Sequence, residues 1–458
     1  MFPIGETTFF ILFTLSLSYN RKKWTRDDWM RIRWKSFVWV MMIFSSAFFT
    51  VAMTHHLLQK KNLKQEKLES LLPYGNYLPD SENPLIRVVL KTSGFQGIAH
   101  SEVQIRAESG IIIEKERKET KTFTIKPDSD LFKSGSIRIE SKKENEKIEI
   151  ISFTRGCGVP SYRGILELYS TAEGIVIVNE VPLEEYLCGV VPSEMPASFE
   201  MEALKCQAVC ARSYAYCQML NFSYPEYQAH VDDSVSFQVY GNSGEKKRTT
   251  RAVMETVGEK LWYNKEVVKT YYYSTSSGHS TDIRAWGSEM TEAKAYLKGI
   301  PICDENKKAY EKEIPWYRWK ASIPENTLRE LLELNTGKVI GNIERIEVTK
   351  RGTGDVALQL SVKGSEGTIV VETENKIRTV LGGEGYHIEK QDGTVVKSTK
   401  LLPSAFFTIA KIGETYIIEG GGYGHGIGMS QNGANEMAKV GKDYKSILQF
   451  FYSDAKVE

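Results

Sequence analysis

The chain has 458 residues, 41% of them hydrophobic and 26% charged, enough to bury a full core and more. A formal net charge of +1 leaves no basic surplus to neutralise phosphates, which argues against a nucleic-acid binder. The charge is spread unevenly, however, and the exception lies at the N-terminus.

Residues 36–53 read SFVWVMMIFSSAFFTVAM with no charged side chain. As a helix this stretch spans roughly 27 Å at about 1.5 Å per residue, just enough to cross a bilayer. Arg21, Lys22, Lys23, Arg26, Arg31, Arg33 and Lys35 precede it against only Asp27 and Asp28, interleaved with Trp24, Trp29 and Trp34. A basic flank with interfacial tryptophans predicts residues 1–35 in the cytoplasm, a single transmembrane helix over 36–54, and the rest outside the cell membrane. A cleaved signal peptide is the alternative, but no small-x-small site follows Met53. Residues 55–84, closed by Pro73, Pro79 and Pro84, predict a polar stem that lifts an extracytoplasmic body, 85–458, off the membrane.

From Leu85 the pattern turns to strands: LIRVVL, GIIIEKE and KIEIIS, then GILELYSTAEGIVIVNEV, two β-branched runs around a glycine turn that predict a hairpin. Pro182 suits a first helical position, with Glu184 and Glu185 in the first turn and Gly189 as the stop. A second helix follows, with Ser198 as N-cap and with Met201, Leu204, Ala208, Ala211, Ala215 and Met219 recurring at spacings of three and four. Cys206, Cys210 and Cys217 lie almost opposite, so the helix is apolar on two sides and must be buried. Side chains four apart on a helix point in parallel, so these cysteines are expected as free, buried thiols. No CxxC pair occurs, and no metal or cofactor is expected. Residues 305–400 mix strands with a short helix, PENTLRELLELNTG, and predict a second lobe; the glycine-dense tail ends in an amphipathic helix. The expected fold class is α+β: a mixed, two-lobed catalytic body around a central buried helix.

Four stretches carry candidate chemistry. Glu194 stands between Pro192 and Pro196, which restrict the backbone from Ser193 to Met195 and would hold one carboxyl stiffly in the loop before the central helix. Residues 271–287, YYYSTSSGHSTDIRAWG, combine hydroxyls with aromatic faces, as sugar recognition requires. GGGYGHGIGMSQNGA, residues 420–434, lets backbone amides and His425 approach a ligand closely but lacks a P-loop lysine. Ser430 in GMSQN falls short of a serine-hydrolase elbow, because Asn432 stands where glycine is needed. HVDDSVSFQVY offers Asp232 and Asp233 as further carboxylates.

Together these segments resemble the stage II sporulation protein D family, which includes peptidoglycan lytic transglycosylases and amidase enhancers. The resemblance rests on VPLEEYLCGVVPSEMPASFEMEALKCQAVCARSYAYCQ, DDSVSFQVY, YYYSTSSGHSTDIRAWGS with AYLKGIPICDE, IRTVLGG followed by LPSAFFTI, and GGGYGHGIGMSQNGANEMA, in that order. It implies Glu194 as the catalytic acid, and a substrate-binding set of Ser193, Gln238, Tyr273, Ser276, Ser277, His279, His425, Ser430 and Gln431. It also implies cleavage of the MurNAc–GlcNAc bond in stem-peptide-stripped glycan during sporulation engulfment, beside an amidase and other membrane-bound sporulation proteins. The alternative is a non-catalytic glycan-binding partner that activates an amidase. Cys206 and Cys210 stand where the family usually has alanine, residues 384–399 look inserted, and the zinc ligands of some members are not recognisable.

Overall fold

The computed structural model describes residues 83–458 apart from 115, 119 and 120. The expected cytoplasmic segment, the transmembrane helix and nearly all of the stem lie outside the described residues. Among those described, no helix is long and apolar enough to cross a membrane. They belong to one compact unit, Asn76–Glu458, that mixes helices with several sheets.

The N-terminal half is built on an eight-stranded sheet. Leu85–Leu90 runs antiparallel to Gly174–Pro182, which pairs in turn with Ile165–Thr171; the last two are the expected hairpin, turning between Thr171 and Gly174. Ile137–Ser141 and Ile111–Ile113 extend the sheet on one side, and Val231–Asp232 adds a parallel edge on the other.

Seven α-helices follow among the described residues: α1 (Leu183–Glu194), α2 (Met201–Gln218), α3 (Lys247–Met254), α4 (Glu325–Thr336), α5 (Glu374–Leu381), α6 (Gln431–Lys439) and α7 (Tyr444–Phe451). The central helix, α2, is shared by two hydrophobic cores. Ala208, Ala211, Ala215 and Met219 face the core under the large sheet, while Leu204, Cys206, Val209 and Cys210 face a second core. That second core also takes in the stretch expected as a second lobe, including the strand Trp319–Pro324 and α4, and extends to α6 and α7. α1 and α2 are further joined by a buried ion pair: Arg212 Nε and Nη2 each donate to the Glu184 carboxylate at 2.7 Å.

Local expectations fail where distant residues intervene. Helix α1 does not stop at Gly189 but runs on through Pro192 to Glu194. Tyr240 packs against Gly189 so closely that a Cβ there would lie 2.5 Å from its ring, so glycine serves side-chain clearance rather than termination. Helix α2 starts after Glu200, not after Ser198, because Asn435 Oδ1 accepts the Glu200 amide at 2.8 Å and fixes the entry. The tail forms two helices and a short strand, Lys456–Val457, in place of one terminal helix. All six cysteines are free thiols; Cys188, Cys206 and Cys210 are buried and Cys157 is exposed.

A five-stranded antiparallel sheet occupies the C-terminal half, in the order Val395–Lys397, His387–Lys390, Trp319–Pro324, Thr415–Gly420, Phe407–Ile412. The apparent insertion at 384–399 thus supplies two of its strands.

Candidate active site

Glu194 is the last helical residue of α1, not a loop residue; the chain becomes extended only at Met195, ahead of Pro196. A helix C-terminus leaves carbonyls without intrahelical partners. Here the Glu194 carbonyl accepts the side-chain amide of Gln431, the first residue of α6, at 3.1 Å. Ser193 Oγ donates back to the Gly189 carbonyl at 2.7 Å and accepts the Ser243 amide at 3.0 Å, so its hydroxyl anchors the helix end.

The half-buried Glu194 presents its carboxyl to a tyrosine-lined interior. Oε1 accepts the Val239 amide at 2.6 Å; Oε2 has no hydrogen-bond partner among the described residues. Burial pushes the carboxyl up to about 7, against the downward pull of the Val239 amide. Asp232 plays no part in that shift, since it accepts from Tyr224 Oη at 2.6 Å and from the amide and hydroxyl of Ser234. Asp233 pairs with Arg155 at 2.5 Å. Asp232 is thus committed to its own turn, and Asp233 ties that turn to Arg155 and to the Lys91 amide.

Gln238, next to Val239, donates to Tyr272 Oη at 3.0 Å and accepts from Tyr186 Oη at 3.4 Å. Burial, with a smaller contribution from the charge of Glu194, holds the phenols of Tyr186, Tyr214 and Tyr272 above their usual range. The strand Tyr272–Tyr273 pairs in parallel with Met429–Ser430, and alternation along it sends the two tyrosines apart. Tyr272 reaches the Glu194 side, whereas the Tyr273 ring lies 5.5 Å from that of His425, tilted at 57° to it.

His425 is fully engaged. Its Nε2 donates to the Tyr272 carbonyl at 2.9 Å and its Nδ1 accepts the Ile427 amide at 3.1 Å, while burial drives it down to about 3, so the ring is neutral. Ser276 and Ser430 meet on a carboxylate that sequence reading missed. Glu311, 0% exposed, accepts the Ser276 amide at 2.9 Å, the Ser276 hydroxyl, and Ser430 Oγ at 2.7 Å. Ser430 also caps α6 by accepting the Gly433 amide, so its buried hydroxyl is not presented as a nucleophile. Ser277 and His279 lie elsewhere, on open cavities of about 710 and 540 Å³.

The structure therefore gathers Glu194, Ser193, Gln238 and Gln431 at the C-terminus of α1, binds Ser276 and Ser430 to Glu311, pairs Tyr273 with His425, and leaves Ser277 and His279 facing solvent cavities. Tyr272 and Glu311 escaped sequence reading for different reasons. Strand parity would have been needed to separate Tyr272 from Tyr273, and nothing near Glu311 in sequence marks it.

Comparison with known proteins matches residues 171–263 to a family model described as Stage II sporulation protein, a span that holds Glu194, Gln238 and Val239. Residues 301–428 match a model described as a domain of unknown function. The stage II sporulation protein D of Bacillus subtilis (strain 168) is 31% identical over 308 residues, covering 64% of this chain and 78% of that protein. The protein of the same name from Bacillus amyloliquefaciens is 30% identical over 296 residues, covering 61% and 75%. An amidase enhancer from Bacillus subtilis (strain 168) is 32% identical over 312 residues, 58% of this chain but 39% of that protein.

Proposed function

This chain belongs to the stage II sporulation protein D family, and from that premise we propose that it is a lytic transglycosylase acting on peptidoglycan during sporulation. The observation that carries the reading is a single carboxyl, Glu194, raised by burial to about 7, with one oxygen held by Val239 and the other free among the described residues. A carboxyl near 7 is roughly half protonated at neutral pH, the state a general acid needs.

Most glycosidases use two carboxylates, one to protonate the leaving oxygen and one to activate or replace water. A muramoyl residue carries its own nucleophile, the C6 hydroxyl. Protonation of the glycosidic oxygen by Glu194 breaks the bond from C1 to that oxygen. The same carboxylate then takes the proton of the C6 hydroxyl as its oxygen bonds to C1, closing a 1,6-anhydro ring. No water enters, and the acid returns to its starting state. Intramolecular placement of the nucleophile supplies a large part of the acceleration, which is why one glutamate suffices. The tyrosines around Glu194 keep the site apolar enough for the acid to stay protonated.

In this reading the substrate is glycan already stripped of stem peptides, and the apolar run at 36–53 anchors the body outside the cell membrane. The name of the amidase enhancer favours a second reading, a glycan-binding protein that activates an amidase and cuts nothing. Glu194→Gln separates the two. In the enzyme the variant binds glycan and releases no anhydro product; in the binder, neither wild type nor variant releases any.

A further inference from the structure

Away from Glu194, the segment around Tyr317 and Arg318 forms a platform between two cavities. The first, about 710 Å³, is lined by Ser277, Arg318, Lys320, Gly354 and Glu389 among others; the second, about 540 Å³, by Ser277, Gly278, His279, Tyr317 and Gly354. Both volumes are of a size that holds small ligands. The Arg318 guanidinium lies 4.1 Å over the Tyr317 ring and is pinned by Nη1, which donates to the Ser277 carbonyl at 2.9 Å. Its Nε and Nη2 carry no hydrogen bond, and it forms no ion pair, among the described residues. Arg318 is exposed.

The platform is fitted to the loops that carry it. A Cβ on Gly278 would stand 2.8 Å from Tyr317 Oη, and one on Gly421 would stand 2.9 Å from Arg318 Nη1. Both glycines keep the space that the two side chains fill. The same loops reach the catalytic candidate: Ser277 follows Ser276, which donates to Glu311; Glu311 receives Ser430, whose neighbour Gln431 caps Glu194.

A guanidinium fixed at one edge with two donors free is built to take a planar anion side-on. The rest of the lining narrows the choice. Glu419 lies 3.7 Å from Lys320, Asp355 lies 3.6 Å from Arg351, and Glu389 stands opposite Lys320 in the sheet. With Lys390 the lining sets three cations (Arg318, Lys320, Lys390) against three carboxylates (Asp355, Glu389, Glu419), so no cationic surplus favours a polyphosphate, whereas sugar hydroxyls can donate to the carboxylates. The site therefore suits a hydroxyl-rich ligand bearing one carboxylate.

We propose that Tyr317 and Arg318 form a second glycan subsite, in which Arg318 binds the free lactyl carboxylate that muramoyl residues expose once stem peptides are removed. This rests on the peptidoglycan reading above and assigns a ligand to the region 301–428. Stripped glycan is thereby told from glycan still carrying peptide, in which that carboxylate is an amide.

The test is equilibrium binding by the full-length Glu194→Gln chain in detergent, so that no cleavage is needed. The probes are a peptide-free GlcNAc–MurNAc tetrasaccharide and chitotetraose, which lacks lactyl groups. Arg318→Ala, and Arg318→Gln as the milder variant, are expected to weaken the first about tenfold and leave chitotetraose binding unchanged. Unchanged chitotetraose binding also reports an intact fold. Equal losses for both sugars, or no loss for either, overturn the proposal. Absence of anhydro product from the wild-type chain would instead count against cleavage, and the difference between the two sugars would still stand or fall by itself.

Discussion

The side-chain amide of Gln431 donates to the backbone carbonyl of Glu194 at 3.1 Å, joining residues 237 apart in sequence. The first residue of α6 thus closes the end of α1, and the glycine-rich tail sets where the carboxyl stands. The same amide also donates to the buried Gln207 Oε1 at 3.1 Å, so Gln431→Leu loses two hydrogen bonds and should cost about 2 kcal/mol of stability. It should also lower kcat by roughly tenfold while changing KM little, since misplacement of the acid affects chemistry more than binding. Denaturant unfolding and steady-state kinetics on stripped glycan check both.

In the proposed reaction, Glu194 sets the pH dependence. As the acid it must be protonated, so kcat/KM should fall as pH rises through about 7. Stability should follow the same sense. Folding raises the carboxyl pKa, so the native state keeps a proton that the unfolded chain releases; the contribution is complete below the ordinary carboxyl range and is lost as pH rises through about 7. Glu194→Gln, which cannot titrate, should flatten that part of the melting-temperature profile.

His425 works in the opposite direction. It is held neutral in the fold, down at about 3, whereas in the unfolded chain it takes up a proton below about 6.5. Its contribution is therefore complete above the ordinary histidine range and is lost as pH falls toward 3. His230, also down at about 3, adds to the same loss. His425→Gln should give a shallower fall in melting temperature between about pH 7 and 4 than wild type, measured by thermal unfolding.

Glu311 receives the Ser276 amide and the hydroxyls of Ser276 and Ser430 in a fully buried setting. Glu311→Ala strands all three donors and should cost about 2–4 kcal/mol. Urea unfolding measures it, and a loss below about 0.5 kcal/mol, the size of a surface change, would show that the two loops hold together without this carboxylate.

Sequence reading was most reliable where the deciding residues are neighbours. The hairpin around Gly174 and the helix that stops at Gly337 follow from β-branched runs and a left-handed terminal glycine. The two-sided apolarity of α2 told that it lies between cores, because its residues fill both of them. Gly189 misled because Tyr240, far along the chain, takes the space above it; Ser198 did so because the cap comes from Asn435. At the site, the prolines drew attention to Glu194, but its stiffness comes from the helix end, Val239 and Gln431 rather than from an extended proline-bound loop. Glu311 gave no local sign, since its significance lies wholly in two loops folded onto it.

The most direct test of the central claim is mass spectrometry of the products formed from peptide-free glycan strands by the wild-type chain and by Glu194→Gln. Chains ending in 1,6-anhydromuramic acid are expected from the wild type and none from the variant, with glycan binding retained by both. Reducing-end products from the wild type, or anhydro products that persist in the variant, would contradict the account.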